Sequence, residues 1–183
     1  MNRLYFKIFI CFFVVSCCPE SVEINRYLLT NGEKSSIPYP MGEKISFTHS
    51  NGYEFELEVI EELLEIRKTE VEHCGDNYSA YEAKEITLQS NIPEFCIIIT
   101  VTPEKFNPFL SIVFNNAYFD ILINDEPTID SMKINNTVFK DVFIAYNTLL
   151  DTTIIVPETI LYNKNDGIIQ IQMTNDEKYT IAR

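Results

Sequence analysis

The chain has 183 residues, 46% apolar and 13% aromatic, with 14 basic against 27 acidic side chains and a formal net charge of −13. That is enough for one ordinary domain with a real core, and it excludes a multidomain machine. Five glycines and this aromatic content exclude a collagenous or disordered chain, and the acidity excludes a nucleic-acid binder, which must neutralise phosphates.

The first predicted element is a targeting segment. Arg3 and Lys7 precede an apolar run over residues 8–15, closed by Ser16-Cys17-Cys18-Pro19. Positive charge, a short apolar run and a small residue are the parts of a secretory signal. The run is about half of the ~20 residues that cross a bilayer, so it does not read as a permanent transmembrane helix. Within it, Val14-Val15-Ser16-Cys17 resembles the lipobox of bacterial lipoproteins. The resemblance implies that Cys17 is acylated, that the chain is cut before it, and that two or three acyl chains then anchor it stably. The plainer alternative is an ordinary signal peptide ending in cysteines. Cleavage before Cys17 removes Arg3 and Lys7 and brings the net charge to −15. Such a domain is repelled by anionic lipid, so residues 17–35 are expected to be the lipidated cysteine and a polar tether. Residues 1–16 are then the signal peptide and 36–183 a single β domain.

From residue 44 onward the pattern has period two. Residues 44–48, the turn Ser50-Asn51-Gly52 and the alternation of Tyr53, Phe55, Leu57 and Val59 against Glu54, Glu56 and Glu58 predict a hairpin with one wet, acidic face. Residues 60–68 contain good helix formers but no N-cap residue before them. They are expected to continue the strand through a bulge, a short helix being the alternative. A strand over 81–89, broken at Ile92-Pro93, leads to 95–101, whose apolar residues on both faces predict a strand covered on both sides. Asn115-Asn116, Asn135-Asn136, Asn165-Asp166-Gly167 and Asn175-Asp176 punctuate strands near 110–114, 117–123, 138–146, 152–156, 160–162, 168–173 and 178–182. The expected fold is all-β, an antiparallel meander of about eight to eleven strands. It could form a strongly curved open sheet, a partly open barrel or a sandwich.

Chemistry-bearing motifs are sparse. The sequence has no Gly-x-Ser-x-Gly elbow, Gly-rich phosphate loop or His-Glu-x-x-His helix, so no catalytic residue, cofactor or metal ligand is assigned. His49 and His73 are expected to face solvent or flank turns. The Glu54-to-Glu62 carboxylates read as a hydrated sheet face, and 125–130 as an acidic loop lacking the Gly and terminal Glu of a calcium loop. Cys74 and Cys96, in one domain of an exported protein, are expected to pair; two unpaired buried cysteines are the alternative. Asp130-Ser131-Met132 and Asp151-Thr152-Thr153 resemble the O-glycan acceptor pattern of Bacteroidota envelope proteins, which implies glycans on Ser131 and Thr152.

With its lipobox and the closing segment from Ile160-Leu161-Tyr162 through Gly167-Ile168-Ile169 to Lys178-Tyr179-Thr180-Ile181, the chain resembles small uncharacterised lipoproteins of Bacteroidota. Asn135-Asn136-Thr137-Val138-Phe139 carries part of the same resemblance, with Asn136 where the family has a turn glycine. The family brings no catalytic residues. The expected protein is a non-enzymatic envelope lipoprotein, most simply of the outer membrane, that binds an envelope protein. The alternative is a carrier holding a lipid or other small apolar ligand on a concave, aromatic-lined sheet.

Overall fold

The computed structural model describes residues 20–69, 76–106, 109–149 and 154–182. The signal segment, Cys17 and Cys18 lie outside them, as do His73, Cys74 and Thr152. The described residues form twelve strands, numbered along the chain: β1 (Glu23–Tyr27), β2 (Lys44–His49), β3 (Glu54–Lys68), β4 (Tyr78–Asn91), β5 (Glu94–Val101), β6 (Phe109–Phe114), β7 (Ala117–Leu122), β8 (Ile129–Ile134), β9 (Thr137–Tyr146), β10 (Pro157–Asn163), β11 (Gly167–Met173) and β12 (Lys178–Ile181). A single helical turn, α1 (Asn31–Lys34), follows β1. Among the described residues no helix is long and apolar enough to cross a membrane.

The strands lie in one sheet in the order β7-β6-β5-β4-β3-β2-β12-β11-β10-β9-β8, with β1 added in parallel beside β4. Every other pairing is antiparallel, as tight Asn- and Gly-bearing turns dictate. Asn115, Asn116 and Asn135 hold positive φ (45°, 68° and 54°), a conformation asparagine tolerates better than most residues. The sheet is an all-β meander that curls without closing. At the near-seam the main chain and side chain of the residues after β9 reach β7: Thr148 donates its amide to the Tyr118 carbonyl at 2.9 Å, and Tyr118 donates to Asn147 Oδ1 at 3.3 Å.

Inside the curl the inward residues alternate with outward polar ones and form one continuous core. Phe47, Leu57, Ile86, Leu88, Ile97, Ile99, Leu110, Ile112, Phe114 and Phe119 are fully buried. Each such side chain contributes about 1.5–3 kcal/mol on leaving water. One end of the curl is filled by residues 29–39. Leu29, Ile37 and Tyr39 are buried, Tyr162 donates its hydroxyl to the Ser36 carbonyl, and the Ile168 amide donates to the Tyr39 hydroxyl. Gly167 sits under the Tyr39 ring at φ +73°, and a Cβ there would lie 2.0 Å from the Tyr39 oxygen. The other end is packed with aromatic rings from Phe55, Phe95, Phe114 and Tyr179, edge-to-face at 4.7–5.6 Å.

Three expectations need correction. Residues 23–35, placed in the tether, are docked on the domain: β1 pairs with β4, Leu29 is in the core, and Thr30 caps α1. The second is the strand expected near 95–101, which is not covered on both faces. In β5, Phe95, Ile97 and Ile99 point inward while Cys96 is exposed and Ile98 and Thr100 are half-buried, so hydrophobic β-branched residues simply occupy a solvent face there. Third, residues 154–156 are not in a strand; β10 begins at Pro157.

Candidate functional site

The bulge expected after Val59 governs the surface. The register between β3 and β4 slips between Val59 and Glu61. Before the slip, Phe55, Leu57 and Val59 are buried; from Ile60 to Ile66 all seven residues are exposed, Leu63 and Leu64 among them. Here β2 has ended, and β3, the first half of β4 and β1 leave the core together as a three-stranded arm. Ala80 and Ala83 of β4 are buried, while the β3 side of the arm is held by charge and cross-strand pairing. Arg67 spans Glu65 (2.7 Å) and Glu85 (2.8 Å), Lys84 approaches Glu62 (3.4 Å), and Lys68 lies over the Tyr78 ring (4.4 Å). Hydrogen bonds to the two carboxylates raise the Arg67 pKa above its ordinary value, burial acting the other way.

At the filled end of the curl, α1 borders a concavity of about 500 Å³, lined by Thr30, Glu33, Ser36, Glu104, Asn124 and Lys164 among others. It is open and polar. Glu33 organises it: its carboxylate accepts from the Thr30 amide (2.6 Å) and from the Glu104 amide (2.8 Å), while Thr30 Oγ1 accepts from the Glu33 amide (3.2 Å). Partial burial pushes the Glu33 carboxyl up, but these hydrogen bonds outweigh it and leave its pKa below the usual value. Next to it, Glu82 accepts from the Leu29 amide (3.0 Å) and pairs with Lys34 (3.0 Å). The Glu33 and Glu82 carboxylates are therefore spent on fixing the 29–36 segment.

At the aromatic end, His49 is buried beside its turn, stacked on Tyr53 (4.6 Å between ring centres) and tilted against Tyr179 (4.7 Å). Its Nδ1 accepts from the Asn51 amide at 3.2 Å, and Nε2 faces Glu177 at 3.8 Å. A ring whose acceptor nitrogen is held by main chain has no lone pair left to activate a hydroxyl, so His49 is placed as a turn lock rather than a base. Burial first, and then the hydrogen bond and charge of Tyr53, push the Tyr179 hydroxyl well above its ordinary pKa.

Of the residues singled out from sequence, Cys96 is exposed on the outer face of β5; its expected partner Cys74 lies outside the described residues. Ser131 is exposed on β8, while Thr152 and Cys17 lie outside the described residues. Glu54, Glu56 and Glu58 form the wet face foreseen, with Lys44 at 3.6 Å from Glu56 and 3.9 Å from Glu58. Among the described residues no three His, Cys, Asp or Glu side chains converge as metal ligands. The aromatic rings that the carrier alternative would set around a ligand belong to the core, and the described concavities are open to solvent. The arm went unforeseen, because hydropathy does not tell a buried leucine from an exposed one.

No family model, curated protein or solved structure matches the chain.

Proposed function

We infer that the protein is a non-catalytic interaction module, held in the cell envelope by lipid on Cys17 and carried on the periplasmic or outer face of the outer membrane. The anchor is supported by the sequence alone, through Val14-Val15-Ser16-Cys17 after a short basic and apolar leader. Kinship with small Bacteroidota lipoproteins belongs to the same reading. The observation that carries the interaction role is the contrast in where apolar side chains go. The body strands expose apolar residues too, such as Leu122 and Val138, but the arm sets four of them, Ile60, Leu63, Leu64 and Ile66, within seven residues of one strand beside an edge that no described strand covers. Exposed apolar residues grouped on one element mark contact surfaces. A carrier of apolar ligands would instead need an apolar chamber.

Metabolic labelling with an alkynyl fatty acid tests the anchor. The mature chain takes the label, and Cys17→Ala abolishes it and leaves the precursor uncut. An unlabelled mature chain overturns the lipoprotein reading. Native mass spectrometry of the purified protein tests the role: a stoichiometric free lipid retained in the fold, beyond the acyl anchor, would replace the module with the carrier.

A further inference from the structure

We propose that the outer edge of the β3 arm pairs with the same edge of a second copy of this chain, joining two arms into one continuous antiparallel sheet. The inference rests on the interaction-module reading and names its partner.

The edge is available. Strand β2 pairs with β3 only as far as Glu58, and Val59 exchanges main-chain bonds with Gly42 and Glu43. Beyond it no described residue pairs with that side of β3. The Thr69 amide donates to the Ser79 carbonyl of β4 (2.9 Å), so by strand alternation Glu61, Leu63, Glu65 and Arg67 turn their main chain toward β4. Glu62, Leu64, Ile66 and Lys68 turn theirs outward. A strand edge with unpaired amides and carbonyls is a template for another strand.

The sequence of this edge favours itself as partner. Reading Glu61-Glu62-Leu63-Leu64-Glu65-Ile66-Arg67-Lys68, one half is acidic and the other basic, with apolar residues between. Two copies related by a two-fold axis through the sheet run antiparallel, which sets the acidic half of each against the basic half of the other. Facing residues must then lie on the same side of the sheet. Centring the axis on Glu65 satisfies this: Leu64 faces Ile66, Glu62 faces Lys68, and Leu63 faces the aliphatic stem of Arg67. The outward main-chain groups fall into hydrogen-bonded pairs in this register. The two central Glu65 carboxylates face each other, but each is already held by its own Arg67 at 2.7 Å. Opposite charges and apolar pairs across strands are the contacts that stabilise a sheet, and symmetry supplies each of them twice.

Cross-linking of the full chain in membranes tests this. At the central, non-hydrogen-bonded pair the Cα atoms approach to about 4.5 Å, within reach of a disulfide. Under mild oxidation Glu65→Cys therefore gives a covalent dimer, whereas Asn25→Cys, exposed on β1, does not. In the Glu65→Cys background, Glu62→Lys or Lys68→Glu alone lowers the dimer yield roughly five- to tenfold, since like charges then face each other twice. Combining the two reversals restores it. Equal cross-linking from Asn25→Cys, or no restoration in the double reversal, overturns the proposal. An adduct between Glu65→Cys and a different protein overturns self-pairing but leaves the interaction module standing, whereas no adduct at all counts against both.

Discussion

The body and the arm are built from the same strands yet obey different physics. In the body, β3 alternates buried Phe55, Leu57 and Val59 with exposed glutamates, and one face does nearly all the stabilising. In the arm, past a one-residue slip, the same strand buries nothing and relies on ion pairs and ladder bonds that water weakens. The lesson is that strand length alone says little about stability. What matters is whether the alternation has a layer to face.

The largest test of this contrast is in the body. Phe114→Ala removes a fully buried ring packed edge-on to Phe95 and should cost about 3–5 kcal/mol in urea unfolding. A loss near zero would mean that the interior is not the cohesive unit. Gly167→Ala comes next, on the order of 3 kcal/mol, because the new methyl collides with Tyr39 and the positive φ disfavours any side chain; thermal melts would show it, with Tyr39→Ala partly relieving the clash. Thr30→Ala should cost about 1 kcal/mol by removing the cap of α1, read as faster hydrogen exchange at the Glu33 amide. Glu33→Gln sharpens the same region by pH. The Glu33 pKa is lowered from 4.5 in the folded chain, so its contribution is complete at neutral pH and fades as pH falls through 4.5 and the folded value below it. The stability gap between wild type and Glu33→Gln should therefore shrink in acid; a constant gap would remove the carboxylate's role. Smallest is Leu64→Ser in the arm, within about 0.5 kcal/mol for dilute protein. A body-sized loss there would erase the distinction between the two regions.

Much of the body could be read from residues because its turns demand particular chemistry. Asn115-Asn116 and Asn135 sit at the positive φ values that their positions imply, and Gly167 ends its turn at +73°. The continuation of β3 through a bulge was also visible, since residues 60–68 lack the cap a helix needs. The N-terminal segment was hidden. Strand β1 has no alternation to detect, its middle residues being exposed on both faces, and α1 is one turn long, too short for a helical period. One signal did exist: Thr30-Asn31-Gly32-Glu33 spells a capping box, and both of its reciprocal hydrogen bonds form. The candidate surface was out of reach for a different reason. Leu64 reads as core by composition, and only the premature end of β2 makes it an edge.

The path of β1 has a mechanical consequence. The Tyr78 amide donates to the Val22 carbonyl at 3.1 Å, so the described chain starts at the far tip of the arm, and β1 then runs alongside β4 toward the body. If Cys17 is moored in a bilayer, any pull on the domain enters through that tip and loads the ladder of Glu23–Tyr27 first. At about 3.3 Å per strand residue, the six steps from Tyr78 to Lys84, where pairing with β5 begins, make the arm a lever of roughly 20 Å, which under that mooring would set the stand-off of the body.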